Sequence, residues 1–224
     1  MPLINALSID TTTKICSVSL LKKGIYFNKS CVSLNKHTKY VLKIIDQLLI
    51  EAEITINDIN LLAYNRGPGA FTGIRLGINI IQSIALVANI PKIGISTLMI
   101  LAQRAWKNTG CSKILTAINV KNNDIYWTKY TRKKHGVWFG EKNEKITKFE
   151  KIINLLPKLK NSWIFTGNIC EKFENHIRKK LRFISVNNFL PHAKDIIPLA
   201  IKKINFRKNA TEVEKIHPIY LNNI

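Results

Sequence analysis

The 224-residue chain has few of the patterns on which metal proteins and most enzymes are built. Its four cysteines, Cys16, Cys31, Cys111 and Cys170, form no Cys-x2-Cys pair, which argues against a zinc knuckle or a redox dithiol. A reduced, cytoplasmic setting is the expectation. The five histidines contain no His-x3-His, the spacing that puts two imidazoles on one helix face for a metal. Fourteen acidic residues show no pairing that marks a general acid and base. No signal peptide is expected, because Met1 to Asp10 lacks a basic start and runs at once into a strand-like LINALSID. The most apolar region, residues 76–90, carries Asn79, Gln82, Ser83 and Asn89 and stops at Pro91-Lys92. It reads as too short and too polar for a membrane span.

Arginine is scarce as well. Seven Arg stand beside 28 Lys, 36 Ile and 23 Asn, and the last three share A/T-rich codons. The net charge of +21 therefore has two readings: compositional drift, or electrostatic use toward phosphate backbones. Base-reading sites favour the bidentate geometry of Arg, and the basic residues are scattered apart from Arg132-Lys133-Lys134 and the Lys179–Arg182 cluster.

Against these absences stands a glycine-rich stretch, NRGPGAFTGIRLG, at residues 65–77. Glycine turns that open helices often hold anions on unpartnered N–H groups. Walker A spacing fails, since Gly67 and Gly73 are separated by five residues and Ile74-Arg75 follows. The dinucleotide fingerprint also fails, with Thr72 at its sixth place. What remains is a turn at Pro68-Gly69, Thr72 as a candidate N-cap, and a helix carrying Gly73 and Gly77 four residues apart. Each helical glycine costs roughly 1 kcal/mol against Ala, so close approach of another backbone is implied. That approach is either internal packing or a docking face.

A hydrophobic content of 46% supports a full core in one large domain or two lobes. The first hundred residues read as three strands (LINALSID, CSVSLLKK, GIYFNKSCVS), a helix from about Thr38, a strand (INLLAY), the glycine turn with its helix, and a strand at Lys92 to Ser96. A helix from Thr97 to about Trp106 follows. In the first helix Val41, Ile44, Ile45, Leu48 and Leu49 form one apolar stripe. From Ile114 the layout recurs: Asp10 aligns with Asn119, and Phe27 with Phe139 after a three-residue insertion. A helix (FEKIINLLPKL), a strand (SWIFTGN), a helix from Cys170 to Leu181, a strand (FISV) and a last helix from about His192 complete it. This duplication predicts two α/β lobes, residues 1–108 and 109–224, each a mixed sheet flanked by helices.

Two βββαβα repeats with an acidic turn after the first strand resemble the actin/Hsp70/sugar-kinase (ribonuclease-H-like) superfold. Within it, NRGPGAFTGIRLG, IPKIGISTL, IDTTTKICSVSL, PHAKDIIPLA and HPIYLNN are similar to the TsaB (YeaZ) family over nearly the whole chain. The resemblance implies a non-catalytic partner of the transferase TsaD. With the ATPase TsaE, that pair forms N6-threonylcarbamoyladenosine (t6A) beside the anticodon of tRNAs that read codons beginning with A. It also implies contact with TsaD, or with a second copy of the chain, through the N-terminal lobe. On this reading tRNA is met only indirectly and no membrane is involved. Arg66, Gly67, Pro68, Gly69, Phe71, Thr72, Gly73, Arg75 and Gly77 are the expected partner-binding residues.

No catalytic residue, cofactor or metal is expected. The first phosphate-type turn keeps Asp10 and hydroxyls but no glycine, leaving Asp10 as a weak ligand candidate or a turn cap. The second turn, from Asn119 to Asn123, has neither acid nor glycine, and Phe165-Thr166-Gly167-Asn168 offers one of the paired glycines of an adenosine pocket. Where TsaD relatives carry two metal-binding histidines, Thr97 and Leu101 stand here. Cys16, in the alternating CSVSLL, reads as core packing. Two alternatives are a degenerate ATP- or metal-dependent enzyme of the same superfold, and a direct tRNA-binding module using the lysines.

Overall fold

The computed structural model describes residues 4–32, 37–119, 124–155, 163–168, 182–183 and 190–206. It forms two units. One holds the chain up to Thr97 together with the chain from Pro191, and the other holds Leu98–Leu190.

In the first unit, β1 (Ala6–Asp10), β2 (Ile15–Lys22), β3 (Ile25–Val32), β4 (Leu61–Asn65) and β5 (Lys92–Ile95) make a sheet ordered β3-β2-β1-β4-β5. The β1–β2 and β2–β3 pairs are antiparallel, while β4 runs parallel to β1 and β5. Helices α1 (His37–Glu51) and α2 (Phe71–Ala88) connect its strands. Strand periodicity divides the side chains between two faces. Leu7, Ile9, Cys16, Val18 and Leu20 join Val41, Ile44, Ile45 and Leu48 of α1 and Ile74, Ile78, Ile81 and Ala85 of α2 in one core. The apolar stripe expected of α1 is what buries it.

The alternate positions on β1 and β2 include three serines, Ser8, Ser17 and Ser19, all fully buried.

The second unit begins within α3 (Thr97–Thr109). It contains β6 (Lys113–Asn119), β7 (Asp124–Arg132), β8 (Trp138–Phe139), β9 (Lys145–Lys148), α4 (Phe149–Leu155), β10 (Ile164–Gly167) and β11 (Arg182–Phe183). Its sheet is ordered β11-β10-β6-β7-β8, with β9 also on β7. Leu115, Ala117, Ile125, Trp127, Ile152 and Phe165 form its core. From α3, Gln103 Oε1 accepts a 2.8 Å bond from Trp138 Nε1, and the Arg132 guanidinium stacks 3.5 Å over the Trp106 ring. The expected helix from Cys170 to Leu181 lies outside the described residues.

The last described helix, α5 (Ala193–Phe206), packs across β1, β2, β4 and β5 of the first sheet. The buried serines explain why. Ser8 Oγ donates to the Ala193 carbonyl oxygen at 2.8 Å, and the Ala193 N–H donates to Ser17 Oγ at 3.0 Å. A purely apolar second face would leave the start of that helix unsatisfied. The compact units therefore divide the chain differently from the repeat boundary at residues 108 and 109. Sequence repeats and compact units differ because α5 packs with the first unit, whereas α3 from Leu98 falls in the second.

At 18 residues with a mean hydropathy of 1.5, α2 is longer than the apolar run at 76–90, and by length and composition it reaches a membrane span. Buried helices of globular cores share that property. Here Gly73, Ile74, Gly77, Ile78, Ile81 and Ala85 are buried in the first unit.

Candidate functional site

The glycine stretch and the turn after β1 meet at the ends of β1 and β4, where a buried polar cluster ties them together. Asp10 is 1% exposed. Its Oδ1 accepts bonds from the Thr12 N–H (2.9 Å) and the Thr12 hydroxyl (2.8 Å), and its Oδ2 accepts one from Asn65 Nδ2 (3.1 Å). The second proton of that amide goes to Thr12 Oγ1 at 2.9 Å. On its other side Asn65 Oδ1 receives the Gly67 N–H (3.0 Å) and lies 2.7 Å from the Thr97 hydroxyl, which also lies 2.6 Å from the Pro68 carbonyl oxygen. Two backbone bonds close the ring: Thr97 N–H to Gly67 O at 2.9 Å and Ala70 N–H to Thr12 O at 2.8 Å.

Each glycine here answers a specific demand. Gly67, before a cis peptide to Pro68, sits at φ 97°, a conformation that favours glycine. A Cβ on Gly69 would lie 2.7 Å from Thr12, one on Gly73 only 2.0 Å from the Thr11 carbonyl oxygen, and one on Gly77 2.8 Å from Thr11 Oγ1. That hydroxyl in turn donates to the Gly73 carbonyl oxygen at 2.6 Å. The helix α2 therefore lies directly on the β1–β2 turn, and Gly73 and Gly77 are buried. Of the two readings of this spacing, the geometry within the fold matches internal packing, since the backbone these two glycines let in is the chain's own.

Other expected site residues divide by exposure. Phe71 and Arg75 stand on the open face of α2, with the guanidinium 3.9 Å from the Phe71 ring centroid. Thr72 is exposed in the first turn of α2, and the N-cap position belongs to Ala70, which makes no side-chain cap bond. Arg66 is half-buried, its N–H donating to Ile95 O at 3.0 Å, and its side chain lies beside Gly94. The cluster's remaining members, Thr11, Thr12, Asn65 and Thr97, were not singled out as a group by sequence reasoning. Their one signal is the polar residue closing each of two apolar strands, Asp10 on β1 and Asn65 on β4.

Chemically the cluster is a lock. Asp10 behaves as the cap of its own turn, both carboxylate oxygens being engaged by donors within the fold. Cys16 lies fully buried in the core, where burial first, then Cys31 and Asp10, pushes its thiol up to about 12. Such a thiol is a poor nucleophile. Among the described residues, no group of three His, Cys, Asp or Glu side chains is placed to hold a metal.

Comparison with known proteins decides the family. The chain is 42% identical to the tRNA threonylcarbamoyladenosine biosynthesis protein TsaB of Buchnera aphidicola subsp. Schizaphis graminum, over 86% of this chain and 90% of that one. It is 36% identical to the protein of the same name in Escherichia coli K12, over 97% and 94%. The chain belongs to the TsaB (YeaZ) family. Residues 32–219 also match the family described as "TsaD: tRNA N6-adenosine threonylcarbamoyltransferase", as a shared superfold leads one to expect. Two solved structures from Pseudomonas aeruginosa superpose over almost their full length. One is titled as an uncharacterized protein with similarity to peptidase YEAZ (28% identity, TM-score 0.85, covering 98% of this chain and all of that one). The other is titled YeaZ (27%, 0.83, 97% and all). With membership of TsaB established, Thr97 and Leu101 take on meaning. Thr97 fastens the glycine loop and Leu101 is buried.

Proposed function

We propose that this chain serves as the TsaB of t6A formation: a non-catalytic partner that supports a TsaD transferase, with TsaE joining the complex. The observation that carries the reading is the closed turn after β1. In nucleotide-binding members of the superfold such a turn wraps phosphate with backbone N–H groups. In this chain the Asp10 carboxylate and the Thr11 carbonyl are instead packed against Asn65, Thr12 and Gly73. A fold that keeps its shape while sealing its phosphate turn suits a scaffold for another subunit's chemistry.

The partner face we assign is the solvent side of α1 and α2, which pack beside each other. Leu42 and Ile50 of α1 and Phe71, Leu86 and Val87 of α2 are exposed there, and Val87 reaches 88%. Large apolar side chains in water on adjacent helices are what a helix-packed interface needs, with Phe71 and its stacked Arg75 as aromatic and cationic anchors. The loop residues Arg66, Gly67, Pro68 and Gly69 set the angle at which α2 leaves the sheet, and Thr72 opens its exposed face. A second copy of the chain would use the same surface.

The test is association with TsaD measured by titration calorimetry, using Ile50→Glu and Phe71→Glu chains. Both positions are exposed, so melting temperatures should stay near the parent value. The expected result is a loss of affinity of at least tenfold for each. Undiminished binding by normally folded variants would place the partner elsewhere.

A further inference from the structure

Among the described residues, the outer edges of the two sheets are built differently. In the first sheet, β3 pairs with β2 without interruption from Ile15↔Val32 to Lys22↔Ile25. In the second, the equivalent edge is broken. β8 covers only Thr131 and Arg132 of β7, while β9 covers Asp124 to Trp127. The chain crosses the gap at Gly140, whose φ of 141° admits glycine and whose Cβ position lies 2.4 Å from the Lys129 carbonyl oxygen. Beside this break lies a groove of about 770 Å³.

Its lining has a consistent chemistry. Lys129, Lys133, Lys142 and Lys145 reach it from β7, the β7–β8 turn, the β8–β9 connection and the start of β9, and all four are exposed. Between them stand the rings of Phe139, half in solvent, Trp163, partly exposed, and Trp127, with Lys145 Nζ 5.5 Å from the Trp127 centroid. One carboxylate, Glu144, also lines it. It accepts hydrogen bonds from Tyr126 Oη at 3.2 Å and from Tyr130 Oη, so its charge is already engaged by two phenols. The groove also sits in the more basic part of the molecule: residues 98–190 carry 19 Lys and Arg against 6 Asp and Glu.

We propose that this groove binds a single-stranded RNA segment, its phosphates on the four lysines and a base against Phe139 and Trp163. Lysines alone would suit any polyanion. Aromatic rings set among them are the arrangement that holds unpaired bases, because every base offers a π face and stacking does not depend on sequence. An acidic peptide would use the charge and leave the rings idle. With Lys in place of Arg, little base discrimination follows. Only the source of the RNA, the tRNA of t6A formation, rests on the function proposed above. The binding itself is measured on the chain alone, so its failure leaves the TsaD titration untouched.

The experiment titrates the full chain with a 12-nucleotide mixed-sequence single-stranded RNA, following tryptophan fluorescence and anisotropy of the labelled RNA. Binding should weaken with salt, with a slope reflecting about 0.7 counterions per phosphate contact. Replacing Lys133, Lys142 and Lys145 together by Glu should raise Kd at least tenfold and flatten the slope by about 2. The same reversal at Lys14, Lys39 and Lys202, exposed in the first unit, should change Kd by less than threefold. Phe139→Ala, which leaves charge intact, should weaken binding about fivefold or more. Equal losses from the two triple variants, or a Phe139→Ala chain that binds normally, would overturn the proposal. Equal affinity for a polyglutamate of matched charge would overturn it too, by assigning the groove to anions in general.

Discussion

The strand ends that close the two sheets carry related residues put to different uses. In the first unit Asp10 and Asn65 end β1 and β4 and are joined by a buried amide-to-carboxylate bond, inside a cluster that also holds Thr12, Gly67 and Thr97. In the second, Asn119 ends β6 and Asn168 follows β10, and their contact is a single bond from the Asn119 N–H to Asn168 Oδ1 at 2.7 Å, near the surface. One end is sealed by helix α2 lying on it. The outer edge of the other sheet is split between two short strands. Two copies of one layout thus differ in packing: in one, α2 lies on the turn after the first strand, and in the other the outer strand is split in two.

The sharpest way to break that contrast is at Gly73. An added methyl would meet the Thr11 carbonyl oxygen at 2.0 Å, backbone against backbone, with no flexible atom to yield. Gly73→Ala is expected to cost about 3 kcal/mol, the upper end of overpacking penalties. In a chain of this size that lowers the melting temperature by about 6–12 °C. Gly77→Ala meets only a hydroxyl, at 2.8 Å, and should cost about 1 kcal/mol, the worth of the displaced Thr11 hydrogen bond. Equal effects of the two in thermal unfolding would mean that the turn after β1 moves freely.

Next come the two asparagines. Asn65→Ala removes the amide donor from a buried carboxylate and leaves the Gly67 N–H short of an acceptor, while the Thr97 hydroxyl keeps the Pro68 carbonyl oxygen, a loss of about 2–3 kcal/mol. Asn168→Ala removes one exposed bond and should cost about 0.5–1 kcal/mol. Urea titration of both variants reads the difference in midpoints. If they coincide, the two strand ends are equally closed and the contrast fails. The smallest effect concerns Cys16, whose thiol stays protonated at pH 8 because burial raises it to about 12. In native protein at that pH, iodoacetamide should leave Cys16 unmodified by mass spectrometry while the partly exposed Cys111 reacts. Prompt labelling of Cys16 would show that the core under β2 opens.

Much of the architecture was legible because it rests on periodicity. The i, i+3, i+4 stripe of α1, the alternation in β1 and β2, and the recurrence of strands, helix and strand from β6 to β10 survive as elements, while the closing helix of the second repeat lies outside the described residues. What stayed hidden was pairing between distant residues. Nothing local in PHAKDIIPLA says that its helix seats on Ser8 and Ser17, some 180 residues earlier. The spacing of Gly73 and Gly77 announced a close approach, but the identity of the approaching backbone depended on where β1 ends. The three-residue insertion before Phe139 was visible, whereas its consequence, a third strand split around Gly140, required the register of β7. Lysines dispersed along the sequence likewise gave no sign that four of them gather around three aromatic rings.

On the proposed function, this chain enables t6A formation without performing the chemistry. The most direct test is reconstitution with purified TsaD, TsaE, the threonylcarbamoyl donor and an A-decoding tRNA, with t6A quantified by mass spectrometry of the digested tRNA. The expected result is t6A only when this chain is added, at a rate unaffected by Cys16→Ser. Equal t6A formation without the chain, or formation by the chain in the absence of TsaD, would contradict it.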